Sequence, residues 1–191
     1  MKRSIAIVCL AVTLTACSAP RAEAPAAVST PLSEPVDEVV EVTISGGMDT
    51  DPVDGGRPVV LIAAALGVPT EVFREAFSGV TPAGAGAEVS DERARSNKAA
   101  LMSVLAPYGI SNGRLDEVSN FYRYNGSAGE VWQHRAATAT YADGVFTVTD
   151  PGFGYSSPPT ITLSNGQTAT ATLTFGTDMA TNGSIASITL D

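Results

Sequence analysis

Apolar positions along the chain change period twice, and each change divides it. Ile5 to Leu14 is an apolar run, broken only by Thr13, behind Lys2 and Arg3, and it gives way to the small residues Thr15 and Ala16 before Cys17. From Ser18 to about Glu38 the chain reads SAPRAEAPAAVSTPLSEPVDE, with prolines at 20, 25, 31 and 35 and almost no large apolar side chain. Such a stretch cannot bury a core and reads as a disordered tether. Beyond it the pattern turns helical. Pro58 opens a helix through Val59, Val60, Leu61, Ile62 and Ala63 to Leu66, apolar on nearly every face, with Gly67 as its stop. A second helix is predicted over Pro69 to Phe77, with Val72, Phe73, Ala76 and Phe77 on one side. Thr81 to Ala87 reads as a surface loop, and Ser90 as the cap of a third helix whose apolar stripe is Leu101, Val104 and Leu105. A fourth begins near Ser111 and places Leu115, Val118 and Tyr122 at helical spacing.

After Asn125-Gly126 the period becomes two, and threonine and valine dominate. Strands are predicted at Ala136 to Ala142, Val145 to Thr149, Thr160 to Leu163, Thr168 to Phe175 and Ser184 to Leu190, with Asp143-Gly144 as a tight hairpin turn. Two faint repeats accompany these patterns. Leu66-Gly67-Val68-Pro69 is echoed by Tyr108-Gly109-Ile110-Ser111, as two helical hairpins would require. Ala137-Thr138-Ala139-Thr140 recurs as Ala169-Thr170-Ala171-Thr172, and the second copy carries an insertion around Gly176 to Asn182. The expected architecture is α+β, a small helical bundle followed by an antiparallel β module. Its divisions are a signal peptide over 1–16, a lipidated cysteine and Pro/Ala-rich tether over 17–42, a helical domain over 43–125 and a β domain over 126–191.

The run from Met1 to Ala16 has the order of a secretory signal, and it is about half the length of a spanning helix. Leu14-Thr15-Ala16-Cys17 resembles the lipobox of bacterial lipoprotein precursors. That resemblance implies a Cys17 carrying a diacylglycerol thioether and an acylated amine, which is enough chains for stable membrane attachment. Ser18 resembles the residue that follows the cysteine in lipoproteins passed on to the outer membrane. The expected location is therefore the cell envelope, at the outer membrane facing periplasm or exterior if the cell has two membranes. With Cys9 in the signal and Cys17 acylated, neither cysteine of the chain is left for a disulfide, a metal or a nucleophile.

Two further stretches carry resemblances. DGGRPVVLIAAALGVPTEVFREAFSGV and RLDEVSNFYRY resemble a group of uncharacterised bacterial secreted proteins, a likeness that implies a genuine domain and transfers no site. Asp150-Pro151-Gly152-Phe153-Gly154-Tyr155-Ser156-Ser157-Pro158-Pro159 resembles the GSGYTSPPTVTI repeat of bacterial surface proteins and phage tail components, where it links antiparallel strands. Phe153 departs from the small residue usual there. Surface display and adhesion are what that repeat's company implies.

Charge narrows the partners. The chain has 20 acidic and 11 basic residues, a formal net charge of −9, and losing Lys2 and Arg3 makes it more negative. Such a surface repels nucleic acid and anionic headgroups. Candidate chemistry is sparse. Asp49, Asp51 and Asp54, ahead of Gly55-Gly56, offer oxygen ligands for calcium. The EF-hand spacing fails, because counting from Asp49 the fifth residue is Val53, the sixth Asp54 and the twelfth Val60; a polar turn leading into a helix is the simpler account. His134, the one histidine, has no nucleophile elbow at Ser127 or Ser156 to serve, and alone it cannot make a zinc set. Phe121, Tyr122, Tyr124 and Trp132 concentrate where the two patterns meet, either as glue between bundle and sheet or as a platform for a sugar ring or partner protein. Glu71, Glu75, Asp116 and Glu117 offer carboxylates for glycoside hydrolysis, yet they lie on polar helix faces. No catalytic residue and no cofactor is assigned. The expected function is a lipid-anchored, non-catalytic binding or structural module of the envelope, engaging the membrane through Cys17 and an envelope protein or glycan through its folded part. Two alternatives stand beside it, a calcium-stabilised adhesion module and an envelope hydrolase.

Overall fold

The computed structural model describes residues 40–81 and 90–191. The signal at 1–16, Cys17, the tether to residue 39 and most of the loop expected at 81–87 lie outside the described residues. Among those described, no helix is long and apolar enough to cross a membrane.

Among the described residues, four α-helices and six strands make an α+β fold. In chain order they are β1 (Val42–Ser45), α1 (Val59–Leu66), α2 (Thr70–Ser78), α3 (Asp91–Leu105), α4 (Asn112–Phe121), β2 (Thr138–Ala142), β3 (Val145–Asp150), β4 (Thr160–Leu163), β5 (Thr168–Thr174) and β6 (Ser184–Leu190). Helix α1 starts as its sequence requires, with the Pro58 carbonyl accepting from the amides of Leu61 and Ile62. It stops at Gly67, whose left-handed φ of 72° lets its N–H and that of Val68 cap the last turn. Val59, Leu61, Ala63, Ala65 and Leu66 are all buried, which accounts for the lack of a polar face. Helix α2 turns Phe73 and Ala76 inward. The hydroxyls of Ser90 and Ser111 accept from the amides of Arg93 and Arg114 and so cap α3 and α4. Of the stripe expected on α3, Leu105 is fully buried and Leu101 and Val104 are partly so.

Strands β4, β5 and β6 form a meander whose other edge is taken by β1, in the order β1-β4-β5-β6. Register explains the alternation. Ile44, Ile161, Ala169 and Leu190 stand opposite one another across all four strands on the inner face, while Ser45, Thr160, Thr170 and Thr189 make the neighbouring row, in which the three threonines are solvent-exposed. β2 and β3 form a separate hairpin that packs against β1 and β6. Its turn is the one expected, with Asp143 at φ 52° and Gly144 at φ 79°. Tyr141 and Phe146 face each other beside it with ring centroids 4.6 Å apart.

β1 is not among the predicted strands. Its four residues fall at the end of the stretch read as tether and the head of the stretch read as helical, yet they pair with β4, more than a hundred positions away. Period two over four residues carries little signal, and the partner supplies what the local pattern lacks. The helices are therefore preceded and followed by strands of one sheet. All the described residues belong to one compact unit, and Met48 packs against both the helical and the strand core.

Candidate functional site

The inserted segment ahead of β6 holds helices and sheet together. Asn182 is fully buried and sits at the turn before Gly183. Its Nδ2 donates to the Leu61 carbonyl of α1 at 2.7 Å and to the Tyr122 hydroxyl at 2.8 Å, and its Oδ1 accepts from the Gly176 amide at 3.1 Å. Its own carbonyl accepts from the Gly154 amide of the PGFGY loop at 2.8 Å. One side chain thus joins α1, the end of α4, and the insertion, while its backbone holds the loop. Gly183 lets these elements approach. A β-carbon there would run into the Tyr155 carbonyl and sit 2.6 Å from Leu61 Cδ2, and the residue has φ 69°. Arg114 adds a second tie, donating to the carbonyls of Ala65 and Thr177.

The four aromatic residues singled out from the sequence belong to the same junction. Trp132 is 2% exposed and donates from Nε1 to the Gly154 carbonyl at 2.8 Å; Tyr122 is 3% exposed. Tyr124 meets the Trp132 ring edge-on at 5.6 Å, and its hydroxyl donates to the Gly56 carbonyl. Phe121 contacts Tyr122 and Phe153. Two of the four are therefore core residues with no face open to a sugar. Burial raises the pKa of the Tyr122 phenol above its ordinary value, opposed by the hydrogen bond from Asn182 and by the charge of Arg114.

Asp49, Asp51 and Asp54 line a polar cleft of about 320 Å³ at the head of α1, together with Glu71, Arg74 and Ser156. Arg74 occupies the middle of this group. Its Nε donates to Asp54 Oδ1 at 2.8 Å, and its Nη2 donates to Asp54 Oδ2 at 2.9 Å and Asp51 Oδ2 at 3.2 Å. The other Asp51 oxygen accepts from the Val53 amide, capping the short turn before α1. Asp54 is 4% exposed, so its charge requires the counterion it has. The hydrogen bond to Asp54 raises the Arg74 pKa further, against desolvation and with help from the charges of Asp54, Asp51 and Glu71. A calcium ion here would have to displace a fork of N–H donors already matched to the carboxylates. Asp49 meets its neighbours through backbone atoms, its carbonyl accepting from the Ser156 hydroxyl at 2.7 Å. Among the described residues no group of three His, Cys, Asp or Glu side chains is placed to hold a metal ion.

The hydrolytic candidates are apart. The Ser156 hydroxyl donates to backbone carbonyls of Asp49 and Gly47, and His134, exposed, bonds through Nδ1 to the Trp132 carbonyl at 3.1 Å. Neither activates the other. Ser127 lies in a short turn, Gly126–Ala128. Asp116 pairs with Lys98 at 2.6 Å and Glu117 with Arg114 at 2.8 Å, while Glu71 lines the polar cleft and Glu75 is exposed on α2.

Residues that sequence reasoning passed over are mostly arginines. Arg57, Arg74, Arg114 and Arg123 each take a defined place, and Arg57 lines both the polar cleft and an adjoining apolar groove. The one local signal was Arg57 standing directly before the helix-opening Pro58. No family model, curated protein or solved structure matches the chain.

Proposed function

We propose that this protein is a lipid-anchored module of the bacterial cell envelope that acts by binding or by structural contact and not by turnover. The observation that carries the reading is Leu14-Thr15-Ala16-Cys17 at the end of a short apolar run. Cys17 is the acylation site, and the proline-rich stretch after it holds the folded part near the membrane surface; extended as polyproline, about twenty residues reach roughly 60 Å. The folded part presents one interlocked body, joined through Asn182, Arg114 and Trp132. The partner is an envelope protein or glycan. The excess of acidic over basic residues disfavours nucleic acid.

Metabolic labelling with an alkyne fatty acid tests the anchor. The wild-type chain takes up label and partitions with membranes, and Cys17→Ala does neither; label retained by Cys17→Ala refutes the assignment. Crosslinking of the anchored protein in native envelopes tests the mode of action. A specific partner is expected. Recovery of none, together with turnover in a hydrolase screen, reverses the conclusion.

A further inference from the structure

A groove of about 220 Å³ runs beside α1 and α2, walled by Ile62, Phe73, Phe77 and Leu101. The charged residues lining it are Arg57 and Arg123, with no carboxylate, in a chain where acids outnumber bases by 20 to 11. Arg57 lies with its guanidinium carbon 4.2 Å from the Phe77 ring centroid. Its Nε is buried and has no hydrogen-bond partner. The acids nearest in the chain cannot serve it, since Asp51 and Asp54 are both committed to Arg74. Among the described residues Arg57 forms no ion pair, and the Arg123 Nη2 donates to the neutral side chain of Asn120. A buried guanidinium donor without an acceptor is uncommon in a folded protein, where almost every such group is satisfied by protein, water or ligand.

We propose that this groove binds a small organic anion, a carboxylate carried on an apolar body such as an aromatic ring or short alkyl chain. The carboxylate accepts from Arg57, with Arg123 adding charge, and the apolar part lies along Phe73, Phe77 and Leu101. Apolar walls with a few polar groups that orient the ligand are the usual composition of such sites. An arginine fork suits a planar carboxylate. At about 30 Å³ per water the space equals roughly seven water molecules, which fits a ring with a short side arm. The proposal stands on the groove alone and holds whether or not Cys17 is acylated.

The test is calorimetric titration of the full chain in lipid nanodiscs with 4-phenylbutyrate, using empty nanodiscs as the blank. The neutral 4-phenylbutyramide and acetate serve as comparison probes. Saturable binding of 4-phenylbutyrate is expected, about tenfold weaker for the amide and for Arg57→Gln, and below detection for acetate. Arg123→Gln keeps the test open if Arg57→Gln does not fold; it is expected to weaken 4-phenylbutyrate several-fold and leave the amide unchanged. Equal affinity for acid and amide overturns the proposal, as does a folded Arg57→Gln or Arg123→Gln that binds like wild type. Absence of saturable binding up to about 10 mM also overturns it.

Discussion

Replacing Asn182 by alanine removes the buried polar contact on which helices and sheet converge. Three bonds disappear, those to the Leu61 carbonyl, the Tyr122 hydroxyl and the Gly176 amide. Each is worth about 1 kcal/mol net, and partners left buried without a bond raise the cost of each toward 1–3 kcal/mol. A total of about 3–4 kcal/mol follows, a large share of the ~5–15 kcal/mol that holds a domain folded. For a domain of this size that corresponds to a fall in Tm of roughly 6–16 °C. Urea unfolding followed by fluorescence is well suited to the measurement, because the chain has one tryptophan and Trp132 is buried at the same junction. Asn165→Ala is the control. It also sits in a turn, but it is exposed, and its bonds are confined to Gln167 two residues on, so a change below about 1 kcal/mol is expected. A double-mutant cycle with Tyr122→Phe should return a coupling of about 1 kcal/mol. If Asn182→Ala costs under about 1 kcal/mol, or no more than Asn165→Ala, the junction is not held as described.

Gly183→Ala should destabilise by about 2–4 kcal/mol, since its β-carbon would press on the Tyr155 backbone carbonyl and on Leu61 Cδ2 while the backbone stays at positive φ; Gly166→Ala, in open space at φ 87°, meets only the conformational cost of about 1–2 kcal/mol, and comparison of their urea midpoints checks this. Asp54→Ala should lower Tm more than Asp51→Ala, because Asp54 is buried and takes two donors from Arg74 where exposed Asp51 takes one; equal melting points would count against the cleft geometry. Alkaline pH should weaken the fold through Tyr122. Its folded pKa lies above the ordinary 10.0, so its contribution is complete below about pH 10 and is lost as the unfolded chain ionises while the folded chain resists. Urea unfolding at pH 9 and pH 11 should show a smaller decline for Tyr122→Phe than for wild type, and equal declines would refute the assignment.

Much of the helical part was legible because its signals are local. Apolar spacing with Gly67 as a stop marks α1, and Ser90 and Ser111 mark the starts of α3 and α4, each through a bond within its own first turn. The hairpin at Asp143-Gly144 was legible for the same reason. β1 was not, since a four-residue alternation acquires meaning only from β4. The polar cleft was half legible. The three aspartates stand out along the chain, but Arg74, which neutralises two of them, is twenty positions from Asp54 and looks like any residue on a polar helix face. Of the apolar groove only Arg57, standing before Pro58, had a local signal, because its walls and its two arginines come from separated elements that meet only in three dimensions.

By itself the sequence determined the elements that depend on near neighbours, the α+β class and the acidic character of the surface. It also placed Leu14-Thr15-Ala16-Cys17, on which the proposed anchor rests. Tertiary structure alone decided what each polar and aromatic side chain is for. An Asn-Gly pair reads along the chain as an exposed turn, and Tyr122 and Trp132 read equally well as a binding platform. Burial separates these meanings. It removes water as the alternative partner, so Asn182, Tyr122 and Trp132 must find their hydrogen bonds in distant parts of the chain, and no local pattern records where those parts come together.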